Sequence, residues 1–275
     1  MLLNRELAAA QGRETKRILE AGSYVSESGH RIEIASMLKQ AVEGTRSYPA
    51  DEPAEAPPPK HKSTTIAIAN ETSLASAERL IQAGYRPAVL NFASAKHPGG
   101  GFLSGARAQE ESLARSSGLY TCLVGNEMYA YHHKQRNPLY SDYAIYSPDV
   151  PVFRTDDGAF RDEPLLCSFI TCAAVNANEI LQNAPFYYSE IEEAMWKRIL
   201  KILTIGAKHG HDAIVLGAWG CGAFGNDANQ IAGLFSKALR SNFQGVYLMV
   251  VFAILDFSDE EKFIGPFRKA FEEAR

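Results

Sequence analysis

Apolar residues in this chain fall into short continuous runs, separated by stretches in which they recur every three or four positions. The runs at 64–69, 88–93, 165–175, 213–217 and 246–255 have the length and continuity of strands buried on both faces. Shorter runs at 144–146 and 152–153 predict two more strands, and residues 24–33 read as a turn with a short strand. Helical spacing covers 4–21, 34–42, 73–83, 107–123, 191–209, 226–240 and 259–274. Leu7, Ala8, Ile18 and Leu19 are the packing positions expected of the first helix; Gly84 stops the third, and Ser258 is the expected N-cap of the last. Strands alternating with helices predict an α/β fold with a mostly parallel sheet flanked by helices. In such sheets ligands sit at the carboxyl ends of the strands.

Between the second helix and the first long strand the pattern lapses. Residues 47–59 hold Pro49, Pro53, Pro57, Pro58 and Pro59, with Asp51, Glu52 and Glu55 among them, and predict an extended surface connector. Residues 1–60 are therefore expected to form an N-terminal helical extension with its connector, and 61–275 the main domain. With 275 residues and 46% apolar content, a sizeable core can form. A net charge of −4 argues against nucleic-acid binding driven by bulk positive charge, so a polyanionic ligand must meet local donors. Cys122, Cys167, Cys172 and Cys221 form no C-x-x-C, and a reducing, cytoplasmic setting is expected. The first ten residues make a poor signal peptide, and no run approaches the ~20 apolar residues of a membrane span.

Two loops fall at strand ends. Pro98-Gly99-Gly100-Gly101 follows the strand at 88–93 and leads to Gln109-Glu110-Glu111; Gly217-Ala-Trp-Gly-Cys-Gly-Ala-Phe-Gly-Asn226 follows the strand at 213–217. Such loops turn backbone N–H groups toward phosphate oxygens. Neither is a P-loop, and Gly220, Gly222 and Gly225 match G-x-G-x-x-G by letters alone. Phe224, amid small residues, either covers a sugar or base or plugs the loop. Glu110 shares a helix face with Ala106, Leu113 and Ala114, the packed side. Glu111 shares one with Arg107 and Arg115, which makes it either an ion-paired surface residue or an acid beside the anion site. A bound diphosphate and a neighbouring carboxylate raise a glutamate pKa, as a general acid needs, while the helix N-terminus opposes this. His132-His133 has no partner at zinc-site spacing and is expected in a loop or at the surface; no metal or cofactor is expected. Asp142, Asp149, Asp156 and Asp157 are given no chemistry, and Cys221 has no neighbouring base.

These residues resemble the bacterial-type poly(ADP-ribose) glycohydrolases, whose signature is Gly-Gly-Gly, six to eight residues, then Gln-Glu-Glu. Here Gly99-Gly100-Gly101 and Gln109-Glu110-Glu111 are separated by seven. The likeness extends to the stretch at 14–24, to Val89-Leu-Asn-Phe-Ala93 and to the loop at 217–227. It implies a macrodomain-like fold and hydrolysis of ribose–ribose O-glycosidic bonds, releasing ADP-ribose from the polymer or from poly(ADP-ribosyl)ated proteins, in the response to DNA damage. It implies that Glu111 is the catalytic acid and that Glu110 orients the ribose. The substrate is then expected to contact Asn91, Gly99, Gly100, Gly101, Gln109, Gly220, Cys221, Gly222, Ala223 and Phe224. Binding-type macrodomains carry Asn-Ala-Ala-Asn where this chain has Asn91-Phe-Ala-Ser94, which argues against a ribose contact from Ser94. Phe252 and Phe257 are both candidates for stacking on adenine. The rival readings are a non-catalytic ADP-ribose-binding module, a hydrolase of single ADP-ribose units and a generic nucleotide-binding α/β protein.

Overall fold

In the computed structural model, which describes residues 4–50, 52–135 and 137–272, helix α1 (Arg5–Ala21) opens the chain. Asn4 caps it by accepting from the Leu7 N–H, and Gly22 closes it in the left-handed conformation. A small hairpin of β1 (Ser23–Val25) and β2 (Arg31–Glu33) follows, then α2 (Ala35–Gly44) and strand β3 (Arg46–Tyr48). Ala8 and Ile18 of α1 are buried as expected, whereas Leu7 is half exposed.

The main sheet adds β4 (Thr65–Ala69), β5 (Pro87–Phe92), β6 (Ala144–Arg154), β7 (Phe160–Cys172), β8 (Ala213–Leu216) and β9 (Met249–Ala253). Its order is β3-β6-β7-β5-β8-β9-β4. From β7 to β4 every pair is parallel; β3–β6 and β6–β7 are antiparallel. Alternation along the inner strands assigns side chains to two cores. Ala88, Leu90, Ile214, Leu216, Val250 and Phe252 face the layer of α7 (Ala177–Asn183), α8 (Ile191–Lys208), α9 (Ala228–Ser241) and α10 (Ile264–Glu272). Val89, Val215 and Val251 face the layer of α3 (Ser73–Gln82), α4 (Gln109–Ser116), α5 (Leu119–Leu123) and α6 (Glu127–Lys134). Burial on both faces is why these strands read as unbroken apolar runs.

Several expectations are corrected. The helix at 107–123 is two helices, because Ser117 bridges to Val152 and the Gly118 N–H donates to the Pro151 carbonyl at 2.9 Å. The two short strands at 144–146 and 152–153 are one bulged strand, β6. The helix expected from 226 starts at Ala228, where Asp227 caps the Asn229 and Gln230 amides. The last helix begins at Ile264 rather than 259, and Ala274 lies outside the described residues, as Asp51 does. Asp256 holds its start by accepting from the Phe263 and Ile264 N–H groups, while the expected cap Ser258 accepts from the Lys262 N–H just before them. Helices α6 and α7 were not foreseen: their apolar spacing is irregular, and tertiary packing holds them.

Candidate active site

Strand β5 ends at Phe92, and the chain then loops back to begin α4 at Gln109. The Gln109 side chain latches the two together. Its Oε1 accepts from the Phe92 N–H at 2.9 Å; its Nε2 donates to the Leu90 carbonyl at 2.8 Å and to Ser73 Oγ at 3.1 Å. With both ends of the amide committed, Gln109 positions the helix instead of binding a ligand through it. That latch places Glu110 and Glu111 in the first turn of α4.

Glu110 is 3% exposed. Its Oε2 accepts from the Ser94 N–H at 2.6 Å and its Oε1 lies 3.5 Å from Asn91 Nδ2. Burial pushes its pKa up to about 8; the Ser94 N–H opposes this and the Glu111 charge adds to it. Between the ordinary carboxyl value of about 4.5 and about 8, the folded state holds a proton that the unfolded state lacks. Stability is therefore expected to fall as pH rises through that window. Denaturant midpoints across the window should show this decline for the wild type, and Glu110→Gln should flatten it. An equal slope in both proteins contradicts the assignment.

Glu111 is buried, not an ion-paired surface group. Its Oε1 accepts from the Gly101 N–H at 2.9 Å, while its buried Oε2 meets no donor among the described residues. Arg115, also buried, donates instead to the Ala106 carbonyl at 2.6 Å. The triple glycine serves these carboxylates. Gly99 and Gly100 have φ of +69° and +58°, and a Cβ on Gly100 would overlap Glu111 Oε1 and come within 3.1 Å of Glu110 Oε2. The Gly100 N–H bonds the His97 carbonyl at 3.0 Å. The expected phosphate cradle is thus corrected at Gly100 and Gly101, whose amides are spent within the protein. Helix α1 braces this loop: Gly12 lies against the Phe102 carbonyl, and Thr15 Oγ1 bonds the Arg115 carbonyl at 2.5 Å.

The second loop is built the other way. Asn226 Nδ2 holds the Val175 and Gly220 carbonyls at 2.7 and 3.0 Å, and Asn178 holds those of Ala223 and Phe224 at 3.1 and 3.0 Å. Among the described residues no acceptor meets the N–H groups of Gly220, Gly222, Ala223 and Phe224, which line an open cleft of about 460 Å³. These amides stand free where the sequence expects an anion cradle. Cys221 takes no part: its N–H bonds the Ala218 carbonyl, and burial pushes its thiol up to about 12. The sequence did not single out Asn178, because its role depends on a partner 45 residues away.

From Phe92, Gln109 and Gly220 the cleft extends past the half-buried Phe224 to Leu255 and Phe257, with Glu71 and Asp156 on its wall. Phe252 is packed inside the core between Phe235, Phe267 and Phe271. Phe257 is 75% exposed on the cleft rim, which settles which of the two can meet a ligand. Asn91 is fully buried, with Nδ2 3.2 Å from Thr171 Oγ1; it supports Glu110 from behind and does not reach the cleft. The surface expectation for His132-His133 holds for the exposed His133 and is corrected for His132. Both lie on α6, and His132 is buried, with Nδ1 on the Ala95 carbonyl and Nε2 on Ser141 Oγ. Among the described residues no group of three or more His, Cys, Asp or Glu side chains is placed to hold a metal ion.

Comparison with known proteins bears on this arrangement. Residues 12–155 match the family model described as microbial-type PARG, catalytic domain. The poly(ADP-ribose) glycohydrolase of Thermomonospora curvata shares 45% identity over 97% of this chain and 100% of its own, with a TM-score of 0.91. The same enzyme bound to the inhibitor ADP-HPD matches at a TM-score of 0.87, with 45% identity over 96% of this chain and 99% of that one. The Deinococcus radiodurans poly(ADP-ribose) glycohydrolase in complex with ADP-ribose shares 36% identity over 86% of this chain and 98% of its own, with a TM-score of 0.81. None of the curated proteins compared with the chain matches it.

Proposed function

The chain belongs to the microbial-type poly(ADP-ribose) glycohydrolase family, and from that footing we propose how its own residues carry out the reaction. It is a glycosidase that hydrolyses ribose–ribose O-glycosidic bonds of poly(ADP-ribose) and releases ADP-ribose. The observation that carries the assignment of roles is a pair of half-sites beyond the ends of the adjacent parallel strands β5 and β8: among the described residues, four unengaged amides in the second loop, and one buried, undonated oxygen on Glu111. The diphosphate lies on the N–H groups of Gly220, Gly222, Ala223 and Phe224. Adenine stacks on Phe257, and Phe224 covers the terminal ribose.

Glu110 and Glu111 are neighbours on one helix, so they cannot flank the scissile bond as the two separated carboxyl groups of ordinary glycosidases do. One carboxyl group serves twice. Glu111, protonated, donates through Oε2 to the departing ribose oxygen as the bond to the anomeric carbon breaks. The diphosphate stabilises the oxocarbenium-like centre electrostatically. Glu111, now ionised, takes a proton from the water that attacks that carbon, which restores the acid. Negative charge on the substrate favours the protonated form of a carboxyl group held beside it. Glu110 orients the ribose, and its neutral form keeps a second negative charge away from Glu111.

Incubation with labelled poly(ADP-ribose) and sizing of the products tests this reading. Release of ADP-ribose is expected; binding of polymer without release favours a non-catalytic module, and activity confined to singly modified protein favours a mono-ADP-ribosyl hydrolase. Phe257→Ala is expected to weaken ADP-ribose binding about tenfold by calorimetry, since stacking on a base contributes ~1–3 kcal/mol. An unchanged affinity removes adenine from that rim. Among the described residues no helix is long and apolar enough to cross a membrane. Four free cysteines fit a reducing cytoplasm, where poly(ADP-ribosyl)ated proteins made in response to DNA damage are the proposed targets. Within residues 1–60, α1 acts in this reading as a brace for the macrodomain-like part at 61–275 through its contacts with the glycine loop, while β3 joins the main sheet.

A further inference from the structure

His132 and His133 have no part in the reaction derived above, yet both rings are committed to one short loop. His132 Nδ1 bonds the Ala95 carbonyl at 3.1 Å and His133 Nε2 the Lys96 carbonyl at 3.0 Å. Burial holds the His132 pKa down to about 4, so its ring stays neutral: Nδ1 donates to the carbonyl and Nε2 accepts from Ser141. From the other side, Ser94 Oγ accepts from the N–H groups of Lys96 and His97 at 3.3 and 3.2 Å. The same loop begins at the Ser94 N–H bound to Glu110 and ends at the Gly101 N–H bound to Glu111. Its backbone is pinned on both sides, which leaves the side chains of Lys96 and His97 as its outward features. His97 is exposed, and the Lys96 ammonium lies 5.8 Å from the centre of the Tyr140 ring. Tyr140 itself is held at φ +60°, an unfavourable conformation for a bulky residue and one that tends to persist at ligand sites.

Sheet order gives these residues a direction. The cleft runs from Phe257, beyond β9, across the loop after β8 to Phe92 at the end of β5 and to Ala108 and Gln109, which precede the two carboxylates on α4. The next neighbours along that edge are the end of β7 and the start of β6, since Phe92 and Ala144 both pair with Cys172. Tyr140 lies just before β6. A substrate with its ADP end in the cleft and its terminal ribose at Glu111 must therefore continue, past the scissile oxygen, toward Lys96, His97 and Tyr140.

We propose that Lys96, His97 and Tyr140 form a subsite for the departing side of the polymer, held in place by the His132–His133 clamp. The Lys96 ammonium and a ring N–H of His97 take a phosphate of the adjoining ADP-ribose unit, and the Tyr140 ring packs against its adenosine. On a chain of net charge −4, the Lys96 ammonium is a local cation that draws a polyanion to this end of the site. This inference rests on the polymer-cleaving reading and adds a contact with the unit that departs.

The test uses the full chain and the double variant Lys96→Ala/His97→Ala. Two substrates are compared at about 50 and about 200 mM salt: long poly(ADP-ribose), and an ADP-ribose glycoside whose anomeric carbon carries only nitrophenol. The ratio of kcat/KM for polymer to that for the glycoside is expected to fall about tenfold in the variant, mainly through KM, with a weaker salt dependence on polymer. An unchanged ratio overturns the subsite. A wild-type protein that cleaves the glycoside but not the polymer overturns the polymer reading itself, which keeps the two failures distinct.

Discussion

Glu111→Gln is expected to lower turnover of poly(ADP-ribose) by about 10²–10⁴-fold, the range supplied by a positioned general acid. ADP-ribose affinity should stay within about threefold of the wild type. Glutamine keeps the shape of the side chain, and its carbonyl oxygen can still accept from the Gly101 N–H, as Oε1 does now at 2.9 Å. What it loses is the acid proton that the proposed mechanism delivers through the second oxygen, the one that meets no donor among the described residues. Since the contacts proposed for the diphosphate and adenine lie on the second loop and Phe257, binding has no reason to change. Single-turnover assays on polymer together with titration of ADP-ribose check both halves. Near-normal turnover removes Glu111 from the chemistry; a large loss of affinity makes it a binding group instead.

Gly100→Ala should cost nearly as much activity by a different route. A Cβ at this position falls onto Glu111 Oε1 and lies 3.0 Å from its carboxyl carbon, so the side chain must leave the geometry in which Gly101 holds it. The left-handed φ of +58° adds about 1–2 kcal/mol of backbone strain for any residue with a Cβ. The expected outcome is a turnover loss approaching that of Glu111→Gln, a lower unfolding midpoint and a nearly unchanged affinity for ADP-ribose. If affinity is abolished while turnover of bound substrate persists, Gly100 is lining the diphosphate after all. The contrast with Glu111→Gln is informative because that variant should unfold at close to the wild-type midpoint.

Much of the architecture was legible in the chain. The inner strands are buried on both faces and so appear as unbroken apolar runs; 64–69, 88–93 and 213–217 fall within a residue of β4, β5 and β8. Both glycine loops were placed correctly at strand ends. The errors lie where local pattern and tertiary packing disagree. Residues 107–123 keep helical spacing through Ser117, but a bridge to Val152 breaks the helix there. Helix α6 carries two histidines and two tyrosines, a polar-looking stretch whose burial depends on the loop it clamps.

Residue types and spacing were enough to determine the α/β sheet, the two strand-end loops and the Gln-Glu-Glu turn, because strand burial and glycine conformational freedom are local properties of the chain. Only the folded protein could divide the labour between the loops. Which amides are spent on Glu111 and which stay open to the cleft depends on carbonyl partners far away in sequence, such as Asn178 for the loop at 217–226. The same holds for Gln109, which the resemblance places among ligand contacts and packing commits to a latch, and for the burial of Phe252 against the exposure of Phe257. Hydrogen-bond satisfaction and burial are settled by the whole fold, and no window of sequence contains them.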